Sequence, residues 1–152
     1  MSKANNSKNW IKNHVKDPFV IQAQKDGYRS RAAYKLIEID KKYRIIKSGI
    51  TAVDLGAAPG GWSQVLSRKI GLKGKIIGID LLEINPIKGI DFIQGDFMQE
   101  EVLKKMIDKL KNKRVDLVIS DMAPNISGVK VVDQQRAINL NELALDFALK
   151  HL

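Results

Sequence analysis

Apolar residues follow two rhythms along this chain. Residues 51–55, 75–79, 91–94 and 115–120 are short, largely apolar runs bounded by Gly, Asp or Asn, which predicts buried parallel strands. The stretches between and after them, residues 63–70, 99–112 and 137–152, place apolar side chains at helical spacing. Upstream, Ser30 suits the N-cap of a helix running through Tyr43, with Ala33, Leu36 and Ile37 on one broad face beside Tyr34 and Ile39. Trp10, Ile11 and Val15 suggest a short amphipathic helix ended by Asp17-Pro18, and 19–24 a second short apolar piece before Gly27. Residues 1–9 read as a polar, disordered tail, and 128–135 as a polar loop. The order is a basic helical segment followed by four strand–helix units. That is one half of a doubly wound, Rossmann-like α/β sheet. Residues 1–49 form the basic segment and 50–152 the nucleotide-site half, within one domain.

The pattern turns on VDLGAAPGGW, residues 53–62. A strand runs into a Gly/Pro turn and then a helix, which is how open α/β sheets build a nucleotide site. Gly56 permits the tight turn, Gly60 and Gly61 permit close backbone approach, and the new helix offers free N–H groups. Asp54 precedes the turn as an acceptor. The dinucleotide fingerprint needs a second glycine to admit a pyrophosphate, and Ala58 stands there, followed by Pro59, which has no N–H. No G-K-[ST] follows, which excludes a phosphate-binding P-loop. A ligand with adenosine but no phosphate fits better, and S-adenosylmethionine is one. A purely structural turn is the competing reading.

Acidic residues mark the other strand ends. Asp80 closes the second strand 24 positions after Gly56, where an adenosine ribose is held through its hydroxyls. Asp96 follows the third strand, as an acceptor for an adenine amino group or as an N-cap for the next helix, with Phe97 or Met98 against the ring. Asp121 stands after the fourth strand, at the carboxyl edge where α/β sites lie.

Composition sharpens the picture at three points. A 44% hydrophobic, 28% charged chain of 152 residues is one globular domain. No cysteine is present, and His14 and His151 are the only imidazoles, so no metal site is expected. There is no membrane-length apolar run and no signal-peptide core, so the expected location is cytoplasmic. The net charge of +9 is concentrated: residues 1–50 hold 12 Lys and Arg against 4 Asp and Glu. Such a segment reads as a polyanion-binding surface, with Arg29, Arg31 and Lys35 as RNA contacts. The alternative for Lys35 is a surface pair with Glu38. Deleting residues 1–50 is expected to remove RNA affinity and leave the nucleotide site standing.

DPFVIQAQKDGYRSRAAYKL, VDLGAAPGGWSQVL, the Asp80 strand end, QGDF and SDMAPNISG together resemble the FtsJ (RrmJ) family of large-subunit (23S) ribosomal RNA ribose 2′-O-methyltransferases. The resemblance covers the chain from about Trp10 onward. It implies a Rossmann-like methyltransferase sheet, S-adenosyl-L-methionine bound by Gly60, Trp62, Asp80, Asp96 and Asp121 with Asp54 and Gly56 in support, and a Lys-Asp-Lys-Glu catalytic tetrad. Lys35 and Asp121 match its first two members. The second Lys and the Glu have no counterpart before Leu152, so the resemblance implies a C-terminally truncated version with the C-terminal half absent and no activity expected of its own. The implied substrate is a ribose 2′-OH, of a uridine, in large-subunit RNA or the assembled large subunit, handled by a monomer when full length. A non-catalytic RNA- and cofactor-binding remnant is the first alternative. An NAD-dependent oxidoreductase, disfavoured by Ala58 and Pro59, is the second.

Overall fold

The computed structural model describes Ile11, Asn13 and residues 15–152. The 1–9 tail and Trp10 lie outside the described residues, as does the His14 imidazole. Four parallel strands form one sheet: β1 (Thr51–Leu55), β2 (Lys75–Asp80), β3 (Asp91–Gln94) and β4 (Leu117–Ser120), in the order β3-β2-β1-β4. Every residue of β1 is buried, as the central strand of a two-sided sheet requires.

Side chains alternate between two cores. Val53, Leu55, Ile77 and Ile79 face one side, where Val102, Met106 and Leu110 of α4 (Glu100–Leu110) and Ala144 and Phe147 of α5 (Lys130–His151) cover them. Ala52, Ile76 and Ile119 face the other, covered by Trp62, Val65, Leu66 and Ile70 of α3 (Gly61–Ile70) and by Ala33 and Leu36 of α2 (Ala32–Tyr43). This is the period-2 alternation of a strand, read on both faces. Among the described residues β4 pairs on one side only, so the open edge expected of the fourth strand is present.

The basic segment is built into this core. Asp17 caps α1 (Pro18–Lys25) by accepting from the Phe19 amide at 2.8 Å, with Pro18 in the first turn, so the 19–24 piece is a helix. Ala23, Ala33 and Leu36 are buried. Asp40 is buried too, accepting from the Ile46 amide at 2.7 Å and from Lys69 Nζ at 2.5 Å. This packing argues against the expectation that residues 1–50 can be removed while the nucleotide site stands: α2 is one wall of the second core.

Several boundaries also differ from the sequence reading, including the helix read over 63–70, which starts at Gly61. Ser30 does not cap α2; Arg31 takes the cap position without a side-chain bond, and Ser30 packs against Gly61. The fourth strand starts at Leu117; the exposed Asp116 just before it accepts from the Thr51 amide at 2.8 Å and donates its own amide to the Thr51 carbonyl at 2.8 Å. The helix expected over 99–112, α4, ends at Leu110, where Lys111 and Asn112 adopt positive φ. The 128–135 loop is helical from Lys130. Asp133 accepts from Ser127 and Gly128 amides and ties the loop back onto the first turn, a start that polar composition conceals. No helix among the described residues is long and apolar enough to cross a membrane.

Candidate functional site

The ends of the four strands open into one cleft of about 820 Å³. Its walls come from the Gly56 turn, Asp80 to Leu82 after β2, Gly95 to Met98 after β3, Asp121 to Asn125 after β4, and Arg136, Asn139, Leu140 and Leu143 of α5. A volume of this size holds a cofactor-sized molecule.

Local chain chemistry explains the shape. Gly56 has φ +77°, and a Cβ there would meet Met122 Cγ at 2.6 Å, so only glycine lets β1 and the segment after β4 approach so closely. Gly60 has φ +114°, and a Cβ would meet Ile87 Cδ1 at 2.6 Å. Asp80 organises the turn: its Oδ2 accepts from the Ala58 amide at 2.9 Å and its Oδ1 from the Leu82 amide at 2.8 Å. The Ala58 N–H, one that a pyrophosphate could otherwise recruit, is thus already bonded to a carboxylate. Asp96 Oδ1 accepts from the Met98 amide at 2.9 Å, an Asx turn; the cap position of α4 is Gln99. Of the two candidates for the ring contact, both line the cleft: Phe97 is buried in the core and Met98 is half exposed.

Lys35 and Asp121 meet. Lys35 Nζ lies 2.9 Å from Asp121 Oδ1, joining α2 to the end of β4 across 86 positions of sequence. Glu38 does not take Lys35, so the surface-pair alternative is not formed. The two side chains are 63% and 33% exposed. An ion pair this open adds at most about 1 kcal/mol to stability, and it ties Lys35 to Asp121, which lines the cleft. Lys35 also stands 5.6 Å from the ring centroid of Trp62.

The remaining sequence candidates fall outside the cleft wall. Trp62 is buried in the α2–α3 core and donates its Nε1–H to the Ala32 carbonyl at 2.7 Å. Gly60 backs the turn. Arg31 pairs with Asp17, and Arg29 donates to backbone carbonyls. Asp54 lies fully buried beneath the turn, with Oδ2 accepting from Ser63 Oγ at 2.7 Å and Oδ1 without a partner. Burial pushes its carboxyl up to about 7; the Ser63 hydrogen bond opposes this, and the charges of Asp121 and Asp80 add to it.

Sequence reasoning missed the α5 contribution. Arg136 donates to the Asn125 carbonyl at 3.1 Å, closing the far wall, and Asn139 and Leu140 stand beside it. Arg136 lay outside the helix expected over 137–152, and Asn139 and Leu140, inside it, carried no signal of which face would meet the cleft.

A parallel sheet with its cleft at the carboxyl edge and three carboxylates at the ends of β2, β3 and β4 define an α/β protein whose cleft lies where open sheets of this kind hold ligands. Residues 28–152 match the model of the FtsJ-like methyltransferases. Two relatives share the name ribosomal RNA large subunit methyltransferase E. That of Pseudomonas fluorescens (strain Pf0-1) is 57% identical over 148 residues, covering 97% of this chain and 71% of the relative. That of Chromobacterium violaceum is 52% identical over 152 residues, covering 100% and 74%. Among solved structures, a putative ribosomal RNA methyltransferase from Plasmodium falciparum superposes with a TM-score of 0.67 at 39% identity, over 82% of this chain and 69% of that one. The chain belongs to the FtsJ-like methyltransferase family.

Proposed function

We propose that this chain forms the cofactor-binding part of an S-adenosyl-L-methionine-dependent enzyme that methylates a ribose 2′-OH of large-subunit ribosomal RNA. The observation that carries this is the cleft's electrostatics. Asp80, Asp96 and Asp121 ring it, and the turn amide nearest a would-be pyrophosphate is bonded to Asp80. With Asp121 paired to Lys35 and Arg136 on the far wall, Asp80 and Asp96 are left to suit a ligand rich in donors and positive charge, and the turn offers a pyrophosphate no free Ala58 amide. S-adenosylmethionine carries a sulfonium and an ammonium, and its hydroxyls and amines are donors matched to carboxylate acceptors. When bound, it supplies an electrophilic methyl carbon.

Each protein group has a part in this reading. Asp80 accepts from the ribose hydroxyls of the cofactor with the lone pairs its two turn bonds leave free. Asp96 accepts at the base edge, with Met98 and Leu140 against the ring. Asp121 serves the amino-acid end and holds Lys35 at the mouth, where the ammonium can donate to the substrate ribose. Alignment of nucleophile and methyl is the main source of acceleration for such a displacement. The 2′-OH proton must leave to a base, and a carboxylate is far too weak a base for a sugar hydroxyl. Lys35, donating to Asp121, is arranged to orient the ribose rather than to accept its proton. Arg31 and Lys35 are the RNA contacts in this reading, acting in the cytoplasm on naked RNA or the assembled subunit.

The test is transfer of labelled methyl to large-subunit RNA, mapped to 2′-O positions. A polypeptide of the relatives' length carrying these residues should transfer. The 152-residue polypeptide should bind cofactor without turnover. Lys35→Ala in the active form should lower kcat roughly 100-fold or more, as loss of a positioned polar group does, while leaving cofactor affinity within about twofold. Methyl appearing on bases instead of riboses would overturn the assignment. So would an unaffected Lys35→Ala enzyme.

A further inference from the structure

Arg29 stands where three segments meet. It lies in the 27–30 link between α1 and α2, which Gln64 of α3 grips twice: Gln64 Oε1 accepts from the Arg29 amide at 2.8 Å, and Gln64 Nε2 donates to the Gly27 carbonyl at 2.9 Å. From this anchored backbone the guanidinium reaches across the turn. Its Nη1 donates to the Asn85 carbonyl at 2.5 Å and lies 3.4 Å from the Pro59 carbonyl; its Nη2 donates to the Pro86 carbonyl at 3.0 Å. The Arg29 stem runs along Gly60, where a Cβ would come within 3.2 Å of Arg29 Cδ. One planar group therefore bridges the Gly turn and the 81–90 loop between β2 and β3.

That loop needs such a bridge. Residues 81–90 contain no helix or strand, yet Leu81 and Leu82 at its start form part of the cleft wall. The other side-chain bonds holding its backbone are at its ends: Asp80 to the Leu82 amide, Gln94 to the Leu81 carbonyl, and Ser67 Oγ to the Lys88 carbonyl. Among the described residues, Arg29 supplies the side-chain bonds to its middle. A rigid fork suits two adjacent carbonyls, whereas a Lys ammonium is a single point of charge that cannot reproduce that span.

We infer that Arg29 is a positioning residue of the cofactor cleft, holding the 81–90 loop against the Gly turn instead of neutralising an RNA phosphate. The inference rests on the cofactor reading above. It separates Arg29 from Arg31 and Lys35, with which its position in a basic segment groups it.

The full chain carrying Arg29→Ala and Arg29→Lys tests it with three readouts: calorimetric affinity for S-adenosylmethionine, the salt dependence of RNA binding, and amide exchange across residues 81–90. Arg29→Ala should bind cofactor roughly tenfold more weakly, as loss of charge-assisted hydrogen bonds implies. Exchange should quicken in the loop while α3 and β1 stay protected. The slope of log affinity against log salt should stay at the wild-type value. Arg29→Lys, which keeps the charge, should remain at least threefold weakened for cofactor. Unchanged cofactor affinity with a salt slope shallower by about one would make Arg29 a phosphate contact and overturn the inference. Full rescue of cofactor affinity by Arg29→Lys would also overturn it, and that variant decides the matter if Arg29→Ala fails to fold. If the wild type itself binds no S-adenosylmethionine, the functional reading fails instead, and loop exchange in the variants still reports on the clip.

Discussion

A polypeptide of residues 51–152 should not fold, and with it should go all cofactor binding. The physical reason is the second core. Ala33 and Leu36 are at most 1% exposed and pack with Trp62, Val65, Leu66 and Ile70 of α3. Removing α2 exposes that apolar face of α3, whose first turn carries the Gly-rich site. It also strips the buried Asp40 from Lys69, and Gln64 loses both its partners in the 27–30 link. A single Leu→Ala cavity in a core costs about 2–5 kcal/mol, while whole domains hold only about 5–15 kcal/mol. Losing the whole helix exceeds that margin. Circular dichroism on heating checks this: the full chain should melt cooperatively and the 51–152 polypeptide should show no transition. A cooperative melt with retained S-adenosylmethionine affinity would contradict the account and restore the view of the basic segment as an appendage.

Stability should fall as pH rises from about 5 to about 8, and Asp54 should be the cause. Its folded carboxyl titrates near 7, far above the ordinary value of 3.8 that it regains on unfolding. Above pH 4 the unfolded chain releases this proton while the folded chain keeps it. The contribution is therefore fully present below the unfolded value and is lost as pH rises through the folded one. Over this range the loss is on the order of 2 kcal/mol. At the acid end the sign reverses. Asp40 is held below its ordinary value: burial alone would raise it, but the Lys69 and Ile46 hydrogen bonds outweigh burial. Asp133 is held down by its bonds from Ser127. Those contributions fade as pH drops through their folded values, so the optimum should sit near pH 4–5. Asp54→Asn keeps an acceptor for Ser63 and removes the titration. Denaturant midpoints across this range should slope downward for the wild type, and the variant should lose that downward slope, leaving the opposite, rising contribution of the His151 imidazole, which burial holds below its ordinary value. Parallel slopes would place the titrating group elsewhere.

The sheet was legible because its strands are short apolar runs stopped by Gly or Asp, and burial on both faces leaves no polar alternation to confuse them. The strand-end acids were legible for a related reason. A carboxylate at the carboxyl end of a parallel strand lies where the sheet opens, and Asp80, Asp96 and Asp121 all reach the cleft wall. Other features depend on partners distant in sequence. Nothing near Arg29 announces that its guanidinium will meet the carbonyls of Asn85 and Pro86. Trp62 reads as a cofactor aromatic from its motif, yet its ring is packed under α2 and its N–H is spent on Ala32. The start of α5 was hidden because Asp133 bonds backward to Ser127, giving a helical first turn the composition of a loop. The Lys35–Asp121 contact was expected only through the family resemblance, since spacing alone offered Glu38 as a nearer partner.

The measurement that bears most directly on the central claim is a calorimetric titration of the full chain with S-adenosylmethionine, its demethylated product and NAD, repeated for Asp80→Ala. S-adenosylmethionine and its demethylated product should bind and NAD should not, because its pyrophosphate would find the Ala58 amide already bonded to Asp80 and no second glycine in the turn. Asp80→Ala should cost about 1.5–3 kcal/mol in cofactor affinity, the loss of a charged acceptor. NAD binding as tightly as S-adenosylmethionine, or an Asp80→Ala variant that binds like the wild type, would contradict the account.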